Sequence, residues 1–342
     1  MTPFQRVQNA IEEIKKGRMV IMMDDEDREN EGDLVYAASF STPEHVNFMA
    51  KEARGLICVA LTQDIAQRLD LQPMVSSNTS MHETAFTISV DAKAAKTGIS
   101  AYERDMTIKI LANPISKPEE LVKPGHIFPL IAKEGGVLVR TGHTEGSVDL
   151  CRLAGVAPSA VICEIIKDDG EMARRDDLLE FAKKHDLKII YISDLVEYRL
   201  ANEKLLKLKE EEEITFFDTT VKKKVFADHE GVEHTAIVFG DIKEHTTIKV
   251  HNVISDIDLL LHQEKYKSLI NAIYYLKEHN GVLVFINKPQ HHDDSTKKEF
   301  GIGAQILKEL GIKKMDIISS SSTMEFVGLS GFGLEVAQTI KL

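Results

Sequence analysis

The chain has 342 residues, 43% of them hydrophobic and 28% charged, with a formal net charge of −12; that length is long for one core and comfortable for two. The negative balance excludes nucleic acid as an expected partner, because a phosphate backbone must be neutralised by many Lys and Arg side chains. The longest apolar runs, such as Val282–Ile286, are strand-length and far short of a membrane span, so no membrane partner is expected either.

In chain order, Phe4–Lys16 is amphipathic and stops at Gly17, a residue suited to a helix C-terminus. Met19–Met23 reads as a buried strand running into a charged loop. Thr42-Pro43-Glu44 supplies an N-cap, a first helical residue and a first-turn acid for a helix reaching about Arg54. Leu56–Leu61, Ala85–Val90, Val137–Arg140, Val161–Ile166 and Lys188–Ile192 are strand candidates. Helices are expected near Tyr102–Leu111, Glu145–Leu153 and Arg174–His185. The pattern describes a layered α/β (α+β) domain over residues 1–200. A Leu/Lys/Glu run then suggests a solvated, charged helical linker at 201–213. A second, smaller α/β unit follows over 214–342, with strands at Phe216–Val225, His234–Phe239, Thr246–Val250, Val282–Ile286 and Met315–Ser319. Its helices are expected at Tyr266–Glu278 and near Ile302–Leu310. Three widely spaced cysteines argue against a disulfide framework, and no basic, apolar leader opens the chain. Together these point to a reduced, cytoplasmic setting.

Eight of the ten residues Asp24–Asp33 are charged, and seven of those are carboxylates. So many anions at the end of a buried strand repel one another unless cations share the site. An EF-hand does not fit, since a frame opened at Asp27 places Ala38 where the closing Glu belongs. A solvated acidic loop and an oxygen-rich site for magnesium or manganese both remain open. Arg140-Thr-Gly-His-Thr-Glu145 follows a candidate strand and opens a helix. Its amides, its guanidinium and the hydroxyls of Thr141 and Thr144 suit a phosphate at a helix N-terminus. His143 adds an imidazole able to ligate metal or move protons, or to serve only structure. Pro124-Gly-His126 reads as a tight turn. Glu164 interrupts a buried strand, a costly placement without a partner or a task.

Taken together, Asp24–Asp33, Asn78-Thr-Ser80, Thr97-Gly-Ile-Ser100, Arg104-Asp105, Pro124-Gly-His126, Phe128-Pro-Leu130, Gly135-Gly-Val137, Gly142-His-Thr-Glu145 and Cys163-Glu164 occur in the order seen in 3,4-dihydroxy-2-butanone 4-phosphate synthases, and residues 1–200 resemble that family. The resemblance implies a lyase of riboflavin biosynthesis acting on ribulose 5-phosphate with two magnesium or manganese ions per site. It implies metal ligands at Glu29 and His143 and substrate contacts at Arg28, Glu29, Asp33, Arg140, Thr141, Gly142, His143, Thr144 and Glu164. Catalytic roles fall on His126 and Glu164, with Asp33 as a further proton-exchanging candidate. A homodimer is also implied, with His82 expected to reach a neighbour's substrate. The segment Met81-His-Glu-Thr84 departs from the glycine that many members carry before the threonine.

From about residue 214 the chain resembles GTP cyclohydrolase II, most clearly at Phe300–Leu307, with support from Val327-Gly-Leu329 and Gly331–Val336. Ile306 stands where a dinucleotide fingerprint needs its third glycine. The family's three zinc cysteines fall on Ile254, Lys265 and Lys267, and its catalytic Asp and Arg on Thr296 and Lys298. No zinc and no GTP cyclohydrolase activity are therefore expected, the alternative being a bifunctional enzyme. His291–Asp294 reads as a solvated loop rather than a replacement metal site.

Overall fold

The computed structural model describes residues 1–25, 28–82, 84–203, 205–228, 231–287, 296–319 and 334–342, with the side chains of 296–301 left aside. Glu26, Asp27, Glu83, His291–Asp294, Val327–Leu329 and Gly331–Gly333 fall outside this description. So do the side chains of Thr296 and Lys298. The chain divides into two compact units, Met1–Val196 and Glu197–Leu342.

In the first unit α1 (Pro3–Lys15) starts at a Thr2–Gln5 capping box, in which side chains and backbone satisfy each other's orphan donors. Strands β1 (Val20–Met23) and β2 (Gly32–Ala37) pair antiparallel around the acidic loop. Helix α2 (Pro43–Phe48), capped by Thr42, runs on as a wider π turn, Met49–Ala53. Next come β3 (Cys58–Leu61), α3 (Gln63–Arg68), β4 (Val90–Ala92), α4 (Ala101–Ala112) and β5 (Leu121–Ile131). Helix α5 (His143–Leu153), β6 (Ser159–Glu164), α6 (Arg175–His185), β7 (Lys188–Tyr191) and α7 (Ile192–Asn202) complete the series, and the division between units falls inside α7. The sheet order is β4-β5-β3-β6-β2-β1-β7, with β3/β5 and β1/β7 parallel and the other pairs antiparallel. Ile21, Met23, Leu34, Tyr36, Val59 and Val161 send one face of the sheet into the main core, beside Val46, Met49, Ile108, Leu111 and Leu178. Alternation turns Met22 to the other face, where a Cβ on Gly146 of α5 would lie 2.6 Å from its sulfur. A layered α/β fold is what the sequence pattern implied.

Several expectations change, among them the strand expected at Ala85–Val90, which is confined to Val90–Ala92, and the single strand expected at Phe216–Val225, which a turn divides between two strands, Lys207–Phe216 and Thr219–Ala227. Val137–Arg140 is not a strand, because Gly135 and Gly136 both take positive φ and lead into a short 3-10 turn, Gly136–Leu138. Pro124-Gly-His126 is not a turn but part of β5. There Gly125 lies against β4 so closely that a Cβ would stand 2.0 Å from the Val90 carbonyl carbon. The charged run is not a linking helix: residues 207–216 form the first strand of the second unit.

That unit contains β8 (Lys207–Phe216), β9 (Thr219–Ala227), β10 (Glu233–Phe239), β11 (His245–Asn252), α8 (Asp256–Leu261), α9 (Gln263–His279), β12 (Gly281–Ile286), α10 (Thr296–Glu309), β13 (Lys314–Ile318) and β14 (Glu335–Ile340). The order β14-β13-β11-β12-β10-β9-β8 makes β8 an edge strand. Glu211, Glu212 and Glu213 pair with Lys224, Lys223 and Lys222 of β9, and Lys223 Nζ stands 2.8 Å from the Glu212 carboxylate. Four like charges would fray a lone helix, whereas opposite charges across a ladder support an exposed strand modestly. Leu269, Ile273, Leu276, Leu283, Ile237 and Phe239 form this unit's core. Buried Gln305 ties α10 to the end of α7 and the segment after it, donating to the carbonyls of Leu200 and Glu203 (2.9 Å for the latter) and accepting from the Leu205 amide at 3.2 Å.

Candidate active site

The β1/β2 register places Met23 opposite Gly32 and Met22 opposite Asp33, so the acidic segment closes as a loop over the ends of two buried strands. Asp24 organises the described part of it. One carboxylate oxygen accepts from the Glu29 amide at 3.0 Å and from Arg28 Nη1 at 2.8 Å, and the other accepts from the Glu31 amide at 2.8 Å. Arg28 forks between Asp24 and Glu29 Oε1, 2.9 Å away, and so acts as the loop's internal counter-ion. The strand register then brings Asp33 directly opposite Glu164 on β6, two carboxylates that repel at that distance. Glu164 Oε2 accepts the Leu56 amide at 2.8 Å.

His143, the first residue of α5, sits between these acids. Its Nδ1 is 3.8 Å from Glu29 Oε2, and its Nε2 is 4.0 Å from Asp33 Oδ1. Both Asp33 Oδ1 and His143 Nε2 are buried without a hydrogen-bond partner. Burial, then the charges of Glu164, Glu29, Glu31 and Asp24, push the Asp33 carboxyl well above the ordinary carboxylate range. Burial also raises Glu164, against the pull of backbone amides including that of Leu56. Burial lowers His143 despite the nearby carboxylates of Asp24 and Glu29, keeping the imidazole neutral and its lone pair available.

Ligand atoms of Asp24, Glu29 and His143 lie within 4.8 Å of one another. The oxygens of Asp24 are already engaged, so Glu29, His143 and the orphaned Asp33 oxygen are the open donors. Carboxylate oxygens with one imidazole and no thiol suit a hard divalent cation, whose charge would also relieve the repulsion that raises Asp33. The neighbouring thiols Cys58 and Cys163 are pushed up by burial and stay protonated. The residues therefore fit magnesium or manganese.

Other expected site residues stand around this centre. No side chain caps the N-terminus of α5, which begins after Gly142, leaving first-turn amides open to an anion. Thr144 is buried there, with Thr141 just outside. Arg140 is not a free clamp, since it is bound to Glu145 and to the backbone of His82. His82 lies in its own chain's site, its Nδ1 4.0 Å from Glu29 Oε1. His126 is separate: no hydrogen bond or ion pair joins it to Glu29, Asp33, His143 or Glu164. Instead Asp91 of β4 holds it twice, accepting from its amide at 2.8 Å and from ring Nδ1 at 2.7 Å. Gly98, at φ +80°, lets the chain pass this pair, where a Cβ would stand 2.0 Å from Asp91 Oδ2. A carboxylate only accepts, so the Asp91 contact selects the tautomer with the proton on Nδ1 and leaves Nε2 facing outward from the pair. Sequence reasoning missed Asp91, whose only signal was an acid ending a candidate strand.

Such a site belongs to an acid–base enzyme with an oxygen-rich pocket for a divalent cation. The family described as 3,4-dihydroxy-2-butanone 4-phosphate synthase matches residues 8–198, and the GTP cyclohydrolase II family matches residues 290–341. The chain is 59% identical to the 3,4-dihydroxy-2-butanone 4-phosphate synthase of Wolinella succinogenes over 340 residues, covering 99% of this chain and 98% of that one. It is similar to the crystal structure of RibBX, a two-domain 3,4-dihydroxy-2-butanone 4-phosphate synthase from A. baumannii. There the TM-score is 0.84 at 42% identity, over 98% of this chain and 99% of that one. A 3,4-dihydroxy-2-butanone 4-phosphate synthase solved in complex with two magnesium ions matches 56% of this chain and 94% of its own, with a TM-score of 0.54 at 42% identity. The chain belongs to the 3,4-dihydroxy-2-butanone 4-phosphate synthase family. It is an enzyme, a carbon–carbon lyase of riboflavin biosynthesis.

Proposed function

We propose that the first unit converts D-ribulose 5-phosphate to L-3,4-dihydroxy-2-butanone 4-phosphate and formate, using two magnesium or manganese ions per site held by Glu29 and His143. The observation carrying this reading is the facing pair of buried, unpartnered atoms, Asp33 Oδ1 and His143 Nε2, 4.0 Å apart beside Glu29. When bound, the cations supply Lewis-acid stabilisation of negative charge on vicinal substrate oxygens. The chain supplies the rest. Arg28 and Glu29 border the sugar end, while Thr141, Gly142, Thr144 and the α5 amides receive the phosphate, with Arg140 held beside them by Glu145 and the His82 carbonyl. Asp33 and Glu164, on neighbouring strands, are the carboxyl groups proposed to exchange protons with the substrate. His126, with Nδ1 committed to Asp91, presents Nε2 as a base.

That assignment makes Asp91 a positioning residue for His126. Asp91→Asn is expected to lower kcat on the order of 10²-fold with little change in KM, since only the ring's tautomer and orientation are lost. An unchanged kcat in the folded variant would remove His126 from the chemistry.

The second unit, in this reading, no longer opens the imidazole ring of GTP and holds no zinc. Lys265 and Lys267 lie exposed on α9 where two thiolates would be needed, and Ile254 has no donor. His262 Nδ1 already lies 2.7 Å from the Asp258 carbonyl. The GTP cyclohydrolase II match at 290–341 favours the second reading, a bifunctional enzyme. A homodimer and a cytoplasmic location complete the proposal. Exposed Leu56, Ile99 and Tyr102 supply apolar surface for a second copy. Among the described residues no helix is long and apolar enough to cross a membrane, and all three cysteines are free and buried. The test is formate release by the full chain from each substrate with magnesium present, together with elemental analysis. Formate from ribulose 5-phosphate alone, with well under one zinc per chain, is expected. Formate from GTP with one tightly held zinc would establish the bifunctional reading instead.

A further inference from the structure

Glu145, in the first turn of α5, is 1% exposed and carries no role in the reading above. A buried carboxylate needs donors on both oxygens, and Glu145 has them. Its Oε1 accepts from the Lys133 amide at 2.9 Å, and its Oε2 from Arg140 Nη1 at 2.6 Å. The opposite edge of the same guanidinium reaches a different segment. Arg140 Nη2 donates to the His82 carbonyl at 2.8 Å and to Thr84 Oγ1 at 3.3 Å, and Nε donates to the His82 carbonyl at 3.3 Å. The His82 ring in turn lies 4.0 Å from Glu29. The planar fork of Arg140 therefore joins the helix bearing His143 to the segment beside the acidic loop. A cavity of about 520 Å³ opens under that segment, with His82, Thr84 and Lys133 in its wall.

Gly142 gives a second, independent observation. A Cβ there would lie 2.1 Å from Arg140 Nη1 and 2.8 Å from Glu145 Oε2. Its φ of −102° and ψ of 160° are open to any residue, so conformation does not demand glycine. The ends of the Arg140 and Glu145 side chains fill that space, so a methyl group there would displace the pair.

We propose that Glu145 is a positioning residue of the lyase site, acting through Arg140 to hold His82 and Thr84 beside Glu29 and so to set how tightly substrate is bound. This rests on the reading of the site as a sugar-phosphate lyase. Glutamine at 145 offers one acceptor oxygen to two donors, so either Arg140 or the Lys133 amide loses its partner. Alanine at 142 leaves both charges in place and pushes them apart.

The experiment compares wild type, Glu145→Gln, Gly142→Ala and the double variant by steady-state kinetics with magnesium, by manganese binding, and by hydrogen exchange of the 78–86 segment. Each single variant is expected to raise KM for ribulose 5-phosphate about tenfold with kcat held within about threefold, and to speed exchange in the segment about tenfold. Manganese affinity should stay unchanged, and the double variant should be no worse than the poorer single one, because both break the same pair. Should Glu145→Gln fail to fold, hydrogen exchange around His82 and Thr84 in Gly142→Ala carries the test, since Gly142 also belongs to the turn that receives the phosphate and its KM alone would not decide. Folded variants with unaltered KM and exchange would overturn the proposal. So would loss of manganese binding in step with KM, which would make Glu145 a support for the fold alone. A wild type that releases no formate would instead overturn the lyase reading.

Discussion

Glu29→Ala and His143→Ala are each expected to lower formate release from ribulose 5-phosphate by about 10³-fold or more, because each removes a proposed donor to the divalent cation. The fold should survive both changes. Glu29 raises the carboxyls of Glu31, Asp33 and Glu164 by its charge, so its removal relieves repulsion among the acids that remain. His143 is neutral and its Nε2 has no partner, so alanine there breaks no bond from that nitrogen. Circular dichroism and thermal melts separate the two effects. Turnover within about tenfold of wild type in either folded variant, with magnesium supplied, would remove that residue from the metal site.

Asp33→Asn is expected to separate stability from activity. In wild type the carboxyl is buried, faces Glu164 across the strands and leaves Oδ1 without a donor. In chelator the variant should melt several degrees higher, by about 1–3 kcal/mol, since an uncompensated buried charge is gone. Formate release should meanwhile fall at least about 10²-fold. The pH dependence follows from the raised folded-state value. A carboxyl whose folded pKa lies above its unfolded value binds a proton more readily when folded, so its penalty is full above the folded pKa and disappears as pH falls towards the unfolded value near 3.8. The difference in melting temperature between variant and wild type should therefore be largest at neutral and higher pH and shrink on acidification. Saturating magnesium should narrow or reverse it, since a cation that binds only the folded wild-type site stabilises it. A variant less stable than wild type in chelator at every pH would mean that Asp33 has a partner in the fold.

Local signals made much of this architecture legible. The cap of α1, the Thr42-Pro43 start of α2 and the apolar strands at Val20–Met23 and Val282–Ile286 depend on neighbours in sequence. What escaped depends on neighbours in space. Gly32–Ala37 is a strand buried throughout, and without alternation it merged with the acidic loop before it. The glutamates of β8 gain their strand only from Lys222–Lys224 opposite, which no helical or strand period reveals. At the site, Glu164 was readable as a carboxylate out of place in a strand, whereas Glu29, Asp33 and His143 stood out only through the family resemblance of the segments that carry them. Asp91 was not readable, because its meaning comes from a ring 35 residues away. Arg140 was read as a phosphate clamp, whereas its contacts to Glu145 and His82 appear only once α5 and the 82–84 segment meet.

Glu29 and His143 are proposed to hold the cation the reaction needs, and manganese titration followed by electron paramagnetic resonance decides whether they do. Wild-type protein stripped with chelator should take up manganese at a tight class of site and regain formate release in proportion to occupancy. Glu29→Ala and His143→Ala should leave the added manganese free at the same concentrations. Undiminished manganese binding in both folded variants, or full turnover by metal-free wild type, would contradict the account.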